Sequence, residues 1–397
     1  MSKNTEDFFK KKKEWSKIKD DILACYLKPY FTKIRSTKKP IVYIDGFAGA
    51  GKFEDGTLGS PLIVYNLVND MEFPLDIRYY FIEKKYYEEL SENTAQIKNC
   101  KVIGDTYEKN IVGLISSNSD KNVFVYIDPF GIKNINFSYL QKLNTSSLNS
   151  SEFLMNLNSF GFIREGCRLM KTELTGVEFD EFDSVMDESN EFKAGNSVGH
   201  MNEIAGGDYW QDIIRKHKNR EISGYEAEKM FVDGYCNALE KTGKFKYVIS
   251  IPIRMKAGIP PKYRMVFATN HLHGVLLMND NMCNRFEEMK DIQTGGMCTL
   301  FQENSENEVY TDDIIEGQLI SLLNLDFVDY YTLIVKYIKK YGIMKTSVLN
   351  RCLKQMEKKG TIEIKRVPPV TPTGMKSKFI TPPRISGSTE IKLVGVE

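Results

Sequence analysis

Apolar runs that alternate with helical segments constrain the fold of this chain more than any other feature. They predict strands at Ile41–Asp45, Ile77–Glu83, Lys101–Asp105, Val123–Asp128 and Glu152–Leu157. Their β-branched and aromatic composition is typical of parallel strands that are buried on both faces. Because helical patterns separate the runs, we expect a parallel sheet with right-handed crossovers. Most of the runs end on an acidic residue, and ligands of such sheets bind at the carboxyl ends of the strands.

The intervening segments and the later part of the chain complete the predicted fold. Helices are expected at Ser60–Asn69, Lys84–Gln96, Tyr107–Ser116 and Asn136–Leu143. Residues 158–246 interrupt the alternation as a mostly helical insertion. Strands at Tyr247–Arg254 and Tyr263–Thr269 follow, and the link between them is too short for a crossover helix, so they should be antiparallel neighbours. Five parallel strands plus an antiparallel hairpin predict an α/β, Rossmann-like sheet of the class I methyltransferase type.

The chain is long enough for several domains. We expect an N-terminal helical segment at 1–40, the Rossmann-like domain at 41–300 and a second domain at 313–397. In the second domain we expect helices and then two short strands, at Ile314–Leu323, Asp329–Lys340, Thr346–Lys359, Thr361–Lys365 and Lys378–Ile380. Three helices followed by a β-hairpin describe a winged helix-turn-helix domain.

The net charge of +1 hides a strong asymmetry along the chain. Thr172–Phe192 holds eight acidic residues and no basic one, whereas Tyr331–Glu397 holds fourteen Lys and Arg against four Asp and Glu. A basic segment of this kind commonly binds nucleic acid, although a solvated charged surface explains it equally well. The candidate contacts to DNA or RNA lie on the third helix of the second domain and are Arg351, Lys354, Lys358 and Lys359.

Other classes of protein are disfavoured by the composition. The seven cysteines are scattered and none forms a pair with two intervening residues, which argues against a disulfide framework or a zinc site built on paired cysteines. No apolar run approaches ~20 residues, and the N-terminus lacks an apolar signal core, so we expect a cytoplasmic protein without a membrane span. His271 and His273 lack an obvious third ligand, and no metal site is predicted.

The first strand end carries the pattern of an adenosyl-ligand site. Ala48–Gly51 is a glycine-rich turn in which Gly49 and Gly51 let the backbone approach a ligand closely. A methyl donor such as S-adenosylmethionine needs acids at three strand ends: Asp45 for its amino-acid end, Glu83 for its ribose hydroxyls and Asp105 for its adenine amine. The alternative is that each acid only caps the following helix. A phosphate-binding P-loop is disfavoured because the spacing to Lys52 is wrong.

The fourth strand end carries the candidate acceptor site, Asp128-Pro129-Phe130-Gly131. Amino-group methyltransferases have Asp/Asn-Pro-Pro-aromatic at this place. Their carboxylate or amide and the following backbone carbonyl accept hydrogen bonds from the target amine, and the aromatic ring stacks on the flipped base. Here Phe130 stands where the second proline would be. The candidate catalytic residues are Asp128, Pro129 and Phe130, and the alternative is a plain Asp-Pro turn.

Several motifs together carry a family resemblance. They are Asp45-Gly46-Phe47-Ala48-Gly49-x-Gly51, Asp55-Gly56-x-x-Gly59-Ser60-Pro61, Ile127–Gly131, Phe267–His271 and Met278-Asn279-Asp280-x-Met282. With these motifs, most of residues 10–290 resembles the three-Cys-motif partner family, TcmP. The resemblance implies a class I methyltransferase-like fold, often with a C-terminal winged helix. It also implies a separate radical-SAM-like partner protein that carries the three cysteines.

Two functions from different classes follow. The first is an S-adenosylmethionine-dependent methyltransferase that acts on nucleic acid, with the basic C-terminal domain delivering DNA or RNA to the Asp128 site. The second is a non-catalytic module that binds nucleic acid or the three-Cys partner, in a setting such as antiviral defence against mobile elements. A basic domain that only docks a protein is a third possibility, and the salt dependence of nucleic-acid binding would separate it from the others.

Overall fold

The computed structural model describes residues 14–129, 132, 136–175, 197–253, 263–294, 311–382 and 387–394. The chain divides into two compact units, the first comprising Met1–Met255 with Ile259–His271 and the second Lys256–Gly258 with Leu272–Glu397. Across the described ranges, no helix is long and apolar enough to cross a membrane. Most of the acidic segment Thr172–Phe192 lies outside the described residues. Phe130 and Gly131 lie outside them too.

A seven-stranded, mostly parallel sheet forms the centre of the first unit. Its strands are β1 (Ile41–Asp45), β2 (Ile77–Ile82), β3 (Cys100–Ile103), β4 (Asn122–Ile127), β5 (Ser150–Leu157), β6 (Tyr247–Ile253) and β7 (Tyr263–Thr269). Their order is β3-β2-β1-β4-β5-β7-β6, and β7 runs antiparallel to both of its neighbours. This confirms the predicted α/β sheet with its antiparallel hairpin. The strand order reverses between β1 and β4, and such a switch point is where open sheets of this kind bind ligands.

Helices cover both faces of this sheet. They are α1 (Glu14–Ile34), α2 (Ser60–Asn69), α3 (Tyr87–Asn93), α4 (Tyr107–Ser117), α5 (Phe137–Lys142), α6 (Ser159–Leu169), α7 (Val198–Ala205), α8 (Tyr209–Lys218) and α9 (Gly224–Lys241). Pro61 stands in the first turn of α2, where its missing N–H costs nothing. The predicted helical insertion corresponds to α6–α9.

The insertion packs on one face of the sheet. Buried residues of α6, α8 and α9 form a single core with alternate residues of the strands, such as Val42, Val123 and Phe153. Phe162 of α6 stacks on Phe231 of α9 with ring centroids 4.0 Å apart. Burying a ring of this size contributes about 2–3 kcal/mol, so the insertion is an integral layer of the first unit.

Helix α1 covers the opposite face. Tyr26 of α1 lies 5.9 Å from Phe124 of β4 and 5.2 Å from Phe267 of β7, measured between ring centroids. Tyr43 of β1 stacks on Phe124 at 6.0 Å. Residues two apart along a strand share a face. Asp45, the last residue of β1, is two residues after Tyr43 and therefore also faces α1. By the same spacing, Asp128 at the end of β4 lies on the face of Phe124.

A buried acid also lies under α1, away from the strand ends. The hydroxyl of Tyr26 donates a hydrogen bond to Oε2 of Glu152 at 2.5 Å. Burial raises the pKa of Glu152 to about 7. Glu152 is the third residue of β5, so it belongs to the packing between α1 and the sheet.

The second unit combines helices with a small antiparallel sheet. Its elements are α10 (Leu272–Thr294), α11 (Asp312–Ile320), β8 (Val328–Asp329), α12 (Tyr330–Tyr341), α13 (Thr346–Lys359), β9 (Ile362–Val367) and β10 (Ser388–Leu393). The strand order is β8-β10-β9, with both pairs antiparallel.

One predicted strand of the second unit is wrong. The last strand is Ser388–Leu393, and Lys378–Ile380 is a loop segment. Ile380 is buried without belonging to a strand, and the carbonyl of Phe379 accepts a hydrogen bond from Nε of Arg366 at 2.6 Å. The sequence pattern therefore predicted a strand where an apolar loop residue packs into the core.

Candidate functional site

The glycine-rich turn after β1 is tied to the ends of the neighbouring strands. The N–H of Gly46 donates to the carbonyl of Tyr126 at 2.9 Å, and the N–H of Ala48 donates to the carbonyl of Ile82 at 3.1 Å. Gly49 has a φ of +58°, and a Cβ added there would meet nothing within 4 Å. The turn is thus fixed in place and leaves open space beside a backbone that only glycine adopts easily. This is the cradle that a closely approaching ligand requires.

Asp45 is a buried carboxyl group beside this turn. It is 0% exposed, and burial raises its pKa from the ordinary value of 3.8 to about 7. Oγ of Ser60, at the start of α2, donates to Oδ2 of Asp45 at 2.5 Å, and the N–H of Phe47 donates to Oδ1 at 3.1 Å. In the part of the chain that the structure describes, no cation pairs with Asp45. A buried carboxylate of this kind is complementary to a cationic group such as a ligand ammonium.

Glu83 follows β2 and lies against the same turn. One oxygen accepts from the N–H of Gly49 at 3.0 Å, and the other accepts from the N–H groups of Lys85 at 2.7 Å and Tyr86 at 3.1 Å. A carboxylate can accept about four hydrogen bonds, so these three leave capacity for a hydroxyl group. The structure therefore brings together three of the sequence-predicted residues, Gly49, Glu83 and, across the turn, Asp45.

Asp105 occupies a more exposed position after β3. Its carboxylate accepts from the N–H of Thr106 at 2.8 Å and from Nζ of Lys109 at 3.2 Å, and these two bonds lower its pKa. Neither bond caps α4, whose N-cap residue Thr106 makes no side-chain capping hydrogen bond. Gly51, with a φ of +76°, closes the turn through its carbonyl, which accepts from the N–H of Gly59 at 2.9 Å.

The acceptor half of the site is centred on Asp128. Nζ of Lys19 on α1 contacts its two carboxylate oxygens at 2.7 and 2.5 Å. Nδ2 of Asn156 on β5 donates to Oδ1 at 2.7 Å. The side chains of Lys19 and Asp128 are 11% and 23% exposed, so the ion pair is largely buried. Pro129 is buried next to it, while Phe130 lies outside the described residues.

Sequence reasoning missed Lys19 and Asn156. A signal exists for each of them. Lys19 lies three residues before Ile22 and seven before Tyr26, on the face of α1 that is buried. Asn156 interrupts an otherwise apolar strand end, and its Oδ1 is buried without a hydrogen-bond partner among the described residues.

The two halves of the site adjoin. Burial raises the pKa of Asp45, and the charge of Asp128 adds a smaller contribution in the same direction. The two residues follow the neighbouring strands β4 and β1, whose residues Tyr126 and Asp45 are paired in register. The site thus has two carboxyl groups at neighbouring strand ends. Asp45 lies beside the glycine-rich turn, and Asp128 binds the ammonium of Lys19.

The predicted nucleic-acid contacts lie on α13 in the second unit. Arg351 makes two hydrogen bonds to the carboxylate of Asp312, at 2.7 and 3.2 Å, and Lys359 contacts Glu316 at 2.6 Å. Lys354 and Lys358 are exposed, and the structure records no ion pair for either among its described residues. The four cations are therefore of two kinds, two of them held by acids and two open to solvent.

A metal centre is not found in the described ranges, where no group of three or more His, Cys, Asp and Glu side chains could hold an ion. His271 belongs to the first unit, whereas His273 belongs to the second and packs its ring against Tyr331 at 4.7 Å between centroids.

Comparisons with known proteins give low similarities. No protein-family model and no curated protein matches the chain. Similar solved structures include the plantazolicin methyltransferase BpumL in complex with SAH, which is 13% identical, with 68% of this chain and 90% of that chain covered and a TM-score of 0.31. A SAM-dependent methyltransferase from Aquifex aeolicus is 13% identical, with 66% and 100% covered and a TM-score of 0.27.

A third similar structure is LPL1258 from Legionella pneumophila, of the DUF519 family. It is 13% identical, with 36% of this chain and 68% of that chain covered and a TM-score of 0.27. At TM-scores this low the similarity carries no argument about ligand or reaction. The chemistry of the site is therefore inferred from its own residues.

Proposed function

We propose that the first unit binds S-adenosylmethionine and transfers its methyl group to an amino group of nucleic acid. One observation carries the proposal: a fully buried carboxyl without a cation, Asp45, stands beside an open glycine turn and a second strand-end carboxylate, Glu83. A methyl donor of this kind has an ammonium, ribose hydroxyls and an adenine ring. The residues fit these three groups in the order in which the strands present them.

Each donor-side residue has a defined task in this proposal. Asp45 binds the ammonium, and its two hydrogen-bond donors, Ser60 and Phe47, hold the carboxylate in place. Glu83 accepts from the ribose hydroxyls with its remaining lone pairs. Gly49 leaves room for the ligand beside the backbone, Gly51 lets the turn close at a φ of +76° against Leu90, and Asp105 accepts from the adenine amine. Bound S-adenosylmethionine would supply an electrophilic methyl group activated by its sulfonium charge.

The acceptor-side residues hold the target amine. Asp128 accepts a hydrogen bond from the amine, together with the backbone carbonyl of Pro129, so that the nitrogen lone pair is free to react. Nζ of Lys19 contacts both carboxylate oxygens of Asp128, so the target amine has to displace this ammonium to bind there. Phe130 stacks on the flipped base in this proposal.

The second unit completes the proposed function as a winged helix-turn-helix domain. Three helices, α11–α13, and a sheet of order β8-β10-β9 support this interpretation. With the motifs around Asp45 and Asp128, it supports membership of the three-Cys-motif partner family. We therefore propose a cytoplasmic protein that works with a three-Cys-motif partner on DNA or RNA, with antiviral defence as the setting.

A second candidate function is a non-catalytic module, and one observation favours it. Asp128 is already occupied by Lys19 and Asn156, and Phe130 replaces the second proline of the amino-methyltransferase pattern. In that case the first unit would bind the donor as a sensor or serve as a scaffold. The two functions differ in what Asp128→Ala does. It abolishes the function of an enzyme, because the acceptor of the amine hydrogen bond is removed, and leaves that of a scaffold unchanged.

The test begins with calorimetry of S-adenosylmethionine binding to the full chain. We expect binding by the wild type, at least tenfold weaker binding by Asp45→Asn, and unchanged binding by Asp70→Asn, a matched control at an exposed position. Absence of heat at high micromolar donor would refute the donor site. Transfer of a labelled methyl group to mixed DNA and RNA, compared between wild type and Asp128→Ala, then decides between the two functions.

A further inference from the structure

A lysine of the chain lies at the place where the proposed function puts the methyl acceptor. Nζ of Lys19 contacts Oδ1 of Asp128 at 2.7 Å and Oδ2 at 2.5 Å. Asp128 follows β4, which pairs with β1, and the glycine-rich turn of the proposed donor site follows β1. Neighbouring strands of a sheet are about 4.8 Å apart. A primary amine nitrogen of the protein itself therefore stands at the strand end next to the donor site.

The packing of α1 fixes the position of this nitrogen. The side chain of Lys19 is 11% exposed, whereas Lys17, two residues earlier on the same helix, is exposed. Lys19 lies on the face of α1 that also carries the buried Ile22 and Tyr26. Because lysine is rarely buried unless it is paired, the carboxylate of Asp128 holds Nζ in this place. A reacting group that is already in place avoids most of the entropy cost of bringing two molecules together.

The contacts around Nζ have the arrangement of an activated nucleophile. An ammonium has no lone pair, so a base within hydrogen-bond reach must accept its proton before the nitrogen can attack. Asp128 is at that distance. It is oriented in turn by Asn156, whose Nδ2 donates to Oδ1 of Asp128 at 2.7 Å. A nucleophile, a base in contact with it and a third group that orients the base are the parts that covalent catalysis requires.

We propose that the protein methylates itself at Nζ of Lys19 when S-adenosylmethionine is bound and no target amine has displaced this side chain. The inference rests on the donor site of the proposed function and adds a second acceptor, a lysine of the same chain. The lone pair of Nζ forms the new N–CH3 bond. The S–CH3 bond breaks, and its electron pair stays on sulfur, which leaves S-adenosylhomocysteine. The proton that Nζ loses passes to Asp128 and then to solvent.

The geometry singles out one lysine and one methyl group. Lys109 also contacts a strand-end carboxylate, that of Asp105 at 3.2 Å, but its side chain is 70% exposed and the proposed function places Asp105 at the adenine ring. After one methylation, Nζ of Lys19 keeps its charge and two N–H donors, one for each oxygen of Asp128. A second methyl group would remove one of these contacts. We therefore expect monomethylation of Lys19.

The test uses the full chain without nucleic acid, incubated with S-adenosylmethionine whose methyl group is deuterated. Tandem mass spectrometry of proteolytic peptides assigns methyl groups to individual lysines. The protein as purified is measured first, because donor from the host cell can already have modified it, and the deuterium separates the two sources. The variant Lys19→Arg keeps a cation beside Asp128, and Lys17→Arg is the matched control on the exposed face of α1. Calorimetry measures donor binding by all three proteins.

We expect one methyl group on Lys19, from the host and the incubation together, and none on Lys17 or Lys109. Lys19→Arg should lower total labelling about 100-fold, because a guanidinium stays protonated and has no lone pair to react. It should bind the donor as the wild type does, since Lys19 contacts Asp128 and not the donor residues. Lys17→Arg should match the wild type in both measurements.

Label on Lys17 or Lys109 in place of Lys19, or equal labelling of Lys19→Arg, would overturn the inference. Donor binding without any methyl group on Lys19 would also overturn it and would leave a nucleic-acid methyltransferase standing. Methylation of Lys19 without transfer to DNA or RNA would support the inference and count against the nucleic-acid target. Absence of donor binding in the calorimeter would overturn the inference together with the donor site.

Discussion

Replacing Asp45 by asparagine should make the protein more stable and less able to bind its donor. Asp45 is 0% exposed, and burial raises its pKa from 3.8 to about 7. An acid whose pKa is higher in the folded state stays protonated there while the unfolded chain has already ionised. Its contribution to stability is thus complete below pH ~4 and is lost as pH rises through 7.

The size of this loss follows from the two pKa values. The difference is about three pH units, and each is worth 1.36 kcal/mol, so the folded wild type loses about 4 kcal/mol between low pH and pH 8. About 1.5 kcal/mol of this stability is already lost at pH 5, because Asp45 is ionised in the unfolded chain and still protonated in the folded protein. Asparagine has no charge to bury: its Oδ1 can accept from the N–H of Phe47, and its Nδ2 can donate to Oγ of Ser60. The stability of Asp45→Asn relative to wild type should therefore rise by about 2.5 kcal/mol from pH 5 to pH 8.

Urea unfolding followed by tryptophan fluorescence measures this difference. Both tryptophans, Trp15 and Trp210, belong to the first unit, so the signal reports the unit that contains Asp45. Asp70→Asn, at an exposed position, is the control and should differ from wild type by less than about 0.5 kcal/mol at either pH. A stability difference for Asp45→Asn that does not change with pH would refute the reasoning, because it would mean that Asp45 is ionised normally in the folded protein.

Further predictions concern the same unit. Donor affinity of the wild type should rise about tenfold from pH 6 to pH 8 as Asp45 loses its proton, whereas that of Asp45→Asn should stay constant; calorimetry at both pH values measures this. Gly49→Val should abolish donor binding because it fills the cradle and strains a φ of +58°, and circular dichroism should show an unchanged fold. Lys19→Met should cost about 3 kcal/mol by leaving Asp128 buried without its cation, and Lys19→Met/Asp128→Asn should recover much of it, as a double-mutant cycle in urea would show. Glu152→Gln should gain about 3 kcal/mol above pH 7 and keep normal donor binding, which the same urea and calorimetric measurements test.

The central strands were predictable because β1, β4 and β5 are short, mostly apolar runs buried on both faces, whereas the edge strand β3 is only partly buried. Ile41–Asp45 and Tyr263–Thr269 have the predicted bounds, and the remaining strands of the large sheet differ by one or two residues at their ends. The antiparallel placement of β7 followed from the short link before it. The small sheet was harder to predict, since its strands have exposed faces. Ile380 packs from a loop, and the true strand Ser388–Leu393 has only two fully buried residues, Thr389 and Ile391, among half-buried ones.

The proximity of Asp45, Gly49 and Glu83 was predictable for a related reason. Each is marked by a strand that ends in a polar or glycine-rich turn, and parallel strands bring such ends to one edge. The mark of Lys19 is weaker, because only its spacing from Ile22 and Tyr26 places it on the apolar face of α1, and a lysine in a helix is expected on the solvated face. Its partner Asp128 is 109 residues away in sequence, so only the packing of α1 on the sheet reveals the pair.

The position of Lys19 links donor, acceptor and helix α1 in one chemical arrangement. Asp45 and Asp128 stand at the ends of neighbouring paired strands, and burial raises the pKa of Asp45 to about 7. Asp128 is paired with the ammonium of Lys19, whereas no cation of the described residues pairs with Asp45. A donor ammonium would then supply to Asp45 the cation that Lys19 supplies to Asp128. On this reasoning the proposed donor site and the proposed acceptor site each use a carboxylate, Asp45 and Asp128, to bind an amine nitrogen. Lys19 of α1 provides the ammonium that the substrate amine must replace.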